Sequence, residues 1–218
     1  MSVRRAIRTL RALAKRQDAV STVEFALVVP LFMILGMYGA EIAWLNAASM
    51  EASQVALALA DNASRLGQTD NSGVTPTITT GDVESVLKGA LEEGSNIELG
   101  DNGRVILSSL EVHPVTGKQY LHWQQCMGNG RQNSRFGKPD LTGNSLALVA
   151  SGISLGNRRI SSPNRSAVMV AEVWYEYHGL FGTMFVKPIT IHEQAAVIAR
   201  DDRNVSPGLS GATARIAC

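Results

Sequence analysis

Residues 20–45 read VSTVEFALVVPLFMILGMYGAEIAWL. No other apolar run in the chain is as long, and six basic residues stand before it: Arg4, Arg5, Arg8, Arg11, Lys15 and Arg16. From Phe25 to Ala40 there is no charge for sixteen residues. As a helix at 1.5 Å per residue that stretch covers about 24 Å, somewhat short of a hydrocarbon core of about 30 Å. Ala43, Trp44 and Leu45, beyond Glu41, bring it close to spanning length. The span is therefore placed at about Val23 to Leu45.

Three readings of the run compete. One is a secretory signal, with basic residues, an apolar stretch and then small residues at Ala47, Ala48 and Ser49. Its length, Pro30 inside it and a helical pattern continuing past the small residues all weigh against that. The second is a plain membrane anchor, whose basic flank holds the N-terminus in the cytoplasm. The third is a short leader followed by a pilin-like helix, and it turns on Glu24. A carboxylate carried to the bilayer centre costs roughly 2.5–3.5 kcal/mol, so Glu24 calls for a partner or a task. The plain alternative is an edge residue whose carboxylate reaches the interface.

The stretch Asp18-Ala19-Val20-Ser21-Thr22-Val23-Glu24-Phe25 resembles a prepilin-peptidase site, in which cleavage follows a small residue and Glu is the fifth residue of the mature chain. Cleavage between Ala19 and Val20 places Glu24 there. VEFALVVPLFMILGMYGAEIAW is similar to the TadE-like family of tight-adherence (Flp) pilus pseudopilins, which usually has Gly where this chain has Ala19. Further along, SSLEV, WQQC, AEVWYEYHGLF and a closing strand ending in Ala199-Arg200 follow the order of the distal part of that family. The resemblance implies prepilin peptidase and other pilin-like or pilus-assembly membrane proteins as partners. It also implies pairing of Glu24 with a neighbouring mature N-terminal amine.

Net charge is +1 over 218 residues, but unevenly spread. Through Asp18 the chain carries +5, and the remaining fourteen basic and eighteen acidic residues leave −4. A slightly acidic main part argues against nucleic-acid binding. The basic leader suits membrane topology and anionic headgroups. Of the two cysteines, Cys126 is read in a loop and Cys218 in the tail. In an oxidising compartment they can form a bridge; the alternative is two thiols. With no Cys or His at ligand spacing, a metal site is not expected.

Residues 1–19 read as a basic leader and 20–67 as one helix closed by Gly67. Leu45, Ala48, Ala52, Val55, Leu59, Ala63 and Leu66 recur at steps of three and four, a helical stripe. Val55 to Leu66 is expected to cover the chain's own sheet, and Tyr38 to Ala52 to be the packing face of a filament or a partner helix. Tyr38 and Trp44 suit an outer membrane interface. Residues 68–81 read as a loop and Asp82 to Glu93 as a second helix capped by Gly94. Strands follow at Arg104–His113 and Gln119–Gln124 around a Pro114–Gly117 turn, and at Ala167–His178 and Ile189–Arg200. Cys126–Pro139 is a surface loop, and Leu146–Ala150 is a small apolar patch. The apolar loop Gly179–Phe185 either folds back on the core or meets a membrane or partner. After Asp201 the tail reads as polar.

Catalytic patterns are missing. His192-Glu193 opens a zinc-protease motif, but Ala196 stands where the second His belongs. Gly128 and Gly130 are followed by Asn133 in place of a third dinucleotide-loop glycine. There is no phosphate loop and no nucleophile elbow. His113, His122, His178 and His192 are scattered on strands, and Glu172 and Glu176 read as a solvated face. No cofactor is implied.

The expected architecture is α+β. Membrane-spanning residues of about 23–45 belong to the helix over 20–67, and 68–218 form an exported domain with an antiparallel, pilin-like sheet packed on helices. With the resemblance, the expected protein is a non-enzymatic, single-pass minor pseudopilin or assembly component of a tight-adherence (Flp) pilus, held in a bacterial inner membrane in contact with lipid and acting by helix-mediated assembly. Its N-terminus is cytoplasmic, its domain periplasmic or extracellular. Two alternatives stay open: an unprocessed anchored scaffold or binding protein outside any filament, and a secreted enzyme that uses the segment only for export.

Overall fold

The computed structural model describes residues 18–67, 75–139, 151–200, 204–205, 209 and 218. Residues 1–17 of the leader, 68–74 of the first loop, the Leu146–Ala150 patch and most of the tail lie outside them. The side chains of Asp18, Ala19 and Val20 do too. The fold is α+β: a long apolar N-terminal helix, then an antiparallel sheet with further helices. The chain divides into two compact units, residues 1–44 with 179–187, and residues 45–178 with 188–218.

Helix α1, Asp18–Ser64, is 47 residues long with Pro30 inside it. Proline has no N–H, so the carbonyl of Ala26 lacks its usual donor one turn on. The helix ends where Arg65 and Leu66 donate to the carbonyls of Asn62 and Ala63 in a tightened last turn. Gly67 then takes φ +72, a left-handed conformation that glycine adopts without steric cost. Helix α2, Thr80–Glu93, opens with a reciprocal cap. Thr79 Oγ1 accepts from the Asp82 N–H and Asp82 Oδ2 accepts from the Thr79 N–H. A 3-10 turn at Ser95–Ile97 and a single turn, α3, at Leu99–Asn102 lead into the sheet.

The sheet holds β1 (Gly103–Val112), β2 (Gln119–Met127), β5 (Ala167–Tyr177) and β6 (Ile189–Ile198) in the order β2-β1-β5-β6, all antiparallel. A two-stranded hairpin, β3 (Ile153–Leu155) and β4 (Arg158–Ile160), stands apart. Three-residue strands carry too little alternation to stand out in sequence, and this hairpin was not anticipated. Strand β2 runs further than expected, so Cys126 is a strand residue paired with Ile106 rather than a loop residue. The register breaks at Ser109/Leu110, where β2 carries one extra residue.

Both faces of the sheet are covered. On one, Val105, Leu107, Met169, Ala171, Val173 and Tyr175 are buried, and α2 packs on β1 and β2. Ala48, Ala52, Val55, Leu59 and Ala63 of α1 are fully buried in the same unit. The Ser49 hydroxyl donates to Glu193 of β6 at 3.3 Å, and the Arg200 N–H to the Ser64 carbonyl. Alanine lets the two backbones approach closely. The stripe as far back as Ala48 is therefore spent on the chain's own core, which corrects the expectation that Ala48 and Ala52 serve a partner. On the other face, Leu110, Leu121, Ile153, Val168 and Val170 cluster under the hairpin.

Candidate functional site: the apolar helix and the loop docked on it

Within the first unit, α1 is apolar all round. Val23, Phe25, Leu27, Leu31, Phe32, Met33, Ile34 and Leu35 are all exposed. A helix with no polar face suits lipid or a buried core, and here almost none of it is buried. Among the described residues this is the one helix long and apolar enough to cross a membrane. Glu24 is exposed near the start of the run. Seventeen residues on, at about 26 Å along the axis, Glu41 is 0% exposed.

Glu41 is covered by the loop between β5 and β6. The Phe181 N–H donates to Glu41 Oε2 at 3.2 Å. A turn closed by the Gly182 N–H and the Gly179 carbonyl holds that segment in place. Gly179 is required by contact. A Cβ there would sit 2.5 Å from Glu41 Oε1 and 2.5 Å from the Gly182 carbonyl oxygen. Tyr38 meets Phe185 edge to face, ring centres 5.9 Å apart, and Phe181 meets Phe185 in the same way at 5.8 Å. The loop thus folds back, but onto the apolar helix at the C-terminal end of the uncharged run, at Tyr38 and Glu41.

The other expected residues fall as follows. Ala19 and Val20 lie in α1 with side chains outside the described set, and Phe25 is exposed beside Glu24. Cys126 and Cys218 form a disulfide with Cα atoms 5.8 Å apart, packed with Ile106 against Trp174.

Glu172 departs most from its reading. It is 0% exposed, not a solvated face. The Ser134 hydroxyl donates to Oε2, while the Arg135 N–H and His192 Nε2 reach Oε1 at 3.0 and 3.1 Å. His192 stacks on Trp174 with ring centres 3.7 Å apart. Gln132 reaches Glu176, and its carbonyl accepts from Arg104. Residues 128–139 are thereby strapped across the sheet by polar contacts. Chemically, the Ser134 proton is committed to a carboxylate oxygen and the imidazole to the other, an arrangement that fixes a loop.

A second buried carboxylate, Glu111, accepts from Ser109 at 2.7 Å and meets His122 Nδ1 at 2.8 Å. Burial, and then the charge of Glu111, push the neighbouring Tyr120 phenol up to about 12. Tyr175 is also raised, first by burial and then by Glu98 and Glu51. Among the described residues, no three His, Cys, Asp or Glu side chains gather as a metal site. Compared with known proteins, the chain matches no family model, no curated protein and no solved structure.

Proposed function

We propose that this chain is a membrane-anchored assembly component of a tight-adherence type pilus, a TadE-like minor pseudopilin that acts by helix association and not by catalysis. The observation that carries the reading is the exposed, all-round apolar part of α1 with one exposed carboxylate at its start. Glu24 stands fifth after the Ala19–Val20 bond, and a carboxylate there gains by meeting a cation. A neighbouring mature N-terminal amine is that cation. The α+β domain with its sheet against the distal half of α1 is what a pilin-like architecture calls for. The Cys126–Cys218 bridge suits export to an oxidising compartment. On this reading the N-terminus is cytoplasmic, the domain lies outside the inner membrane, and prepilin peptidase processes the leader.

Replacement of Glu24 tests the role. Glu24→Ala should leave the membrane level of the protein unchanged and lower the number of surface pili. Normal pilus numbers in that variant would remove the pairing claim. Ala19, where the family has Gly, favours a second reading: an anchored scaffold that keeps its leader and stays out of the filament.

A further inference from the structure

We infer that the loop over residues 179–187 is a lipid-embedded collar around the outer end of α1, which sheathes Glu41 from the bilayer. The inference rests on the reading of α1 as a membrane anchor and is independent of the pilus. Three observations carry it.

The first is length. The uncharged run of α1 covers about 24 Å against a hydrocarbon core of about 30 Å. Ala43, Trp44 and Leu45 extend the run past Glu41 toward that depth, and the loop docks at the turn that contains Glu41. The second is polarity. Residues 179–186, GLFGTMFV, carry no charge, and Lys187 follows them. Phe185 turns onto Tyr38 and Phe181 packs on Phe185, while Leu180 and Met184 point out with 53% and 71% of their surface exposed. Apolar loop tips of that exposure mark a contact surface. Here they are continuous with a helix surface that is itself apolar all round. Lys187 has a stem long enough to leave its ammonium at the headgroups.

The third is Glu41. A carboxylate at this depth is costly unless it is taken out of the lipid and given donors. The Phe181 N–H supplies one, and the side chain has no exposed surface. The irregular backbone of the loop needs polar company of its own, which sets the collar at the acyl–headgroup boundary rather than deeper. An amphipathic segment at that boundary buries its apolar side by about 5–10 Å.

The test uses the full chain reconstituted in vesicles of phosphatidylcholine with one-third phosphatidylglycerol. The native cysteines are bridged, so Leu180→Cys, Met184→Cys, Leu31→Cys and Val115→Cys each accept one nitroxide label. Val115, exposed in the β1–β2 turn, is the water reference. At Leu180 and Met184, collision with oxygen should exceed collision with a water-soluble nickel chelate several-fold, as at Leu31 and in reverse of Val115. Labels at 180 and 184 that behave like Val115, or that are shielded from both reagents as under a protein partner, would overturn the collar. A label at Leu31 in water would overturn the anchor itself, so the two failures are distinguishable. Adding Gly179→Ala to the Met184 label should raise its nickel accessibility at least two-fold. No change there would show that the loop does not seal Glu41.

Discussion

Glu172 on β5 and His192 on β6 face each other with Oε1 and Nε2 3.1 Å apart, and the same carboxylate holds Ser134 and the Arg135 N–H from the loop before the hairpin. One buried side chain therefore joins an edge strand, a central strand and a long loop. Removing it leaves a hydroxyl, an N–H and an imidazole without their acceptor. Leaving buried donors without their acceptor in this way costs about 1–3 kcal/mol. Glu172→Ala should lower the stability of the detergent-solubilised protein by that much in urea unfolding, and Glu172→Gln by less. A loss under about 1 kcal/mol for the alanine variant would show that the strap is not held here.

The Cys126–Cys218 bridge spans 92 positions. Chain-entropy reasoning gives about 4–5 kcal/mol for a closure of that length. Reduction, or Cys218→Ser, should lower the unfolding midpoint accordingly. A thiol titration of the native protein should find no free cysteine until it is unfolded and reduced.

The cap of α2 makes a smaller prediction. Thr79→Ala removes the acceptor for the Asp82 N–H and should cost about 1 kcal/mol. Thr79→Ser should restore most of it, because serine presents the same oxygen. Equal losses in both variants would count against the cap.

Alkaline behaviour follows from Tyr120. The phenol ionises near 10 in an unfolded chain and at about 12 in the fold. Below pH 10 the group is neutral in both states, and its contribution is fully present. As pH rises from 10 through about 12, only the unfolded state ionises, so that contribution is lost. Tyr120→Phe should flatten the fall in stability over this window, and the 295 nm titration should lose one late-ionising phenol. An unchanged titration curve would contradict the assignment.

Much of the architecture was legible because it is local. The apolar run, the three-and-four stripe from Leu45 to Leu66 and the alternation in AVMVAEVWYEY each announce their element within a few residues. What stayed hidden depends on residues distant in the chain. Glu41 reads as an interruption of the span, and its cover comes from Phe181, 140 positions on. Glu172 reads as solvated because its partners lie 37–38 positions back, in a stretch without periodicity. Cys126 reads as a loop residue because Gln124 and Gln125 dull the strand signal. The sheet nonetheless extends there, with Gln125 opposite Leu107 and Cys126 opposite Ile106. Glu24 is the reverse case: its neighbourhood is fully legible, and the partner proposed for it is another chain.

The most direct measurement is the N-terminal residue of the protein purified from membranes of cells with and without prepilin peptidase. The account predicts a chain that begins at Val20 when the peptidase is present and retains its leader when it is absent. A chain that retains its leader in both cells would contradict processing and leave a permanent anchor. A start beyond about Ala47 would contradict the membrane helix and the assembly role together.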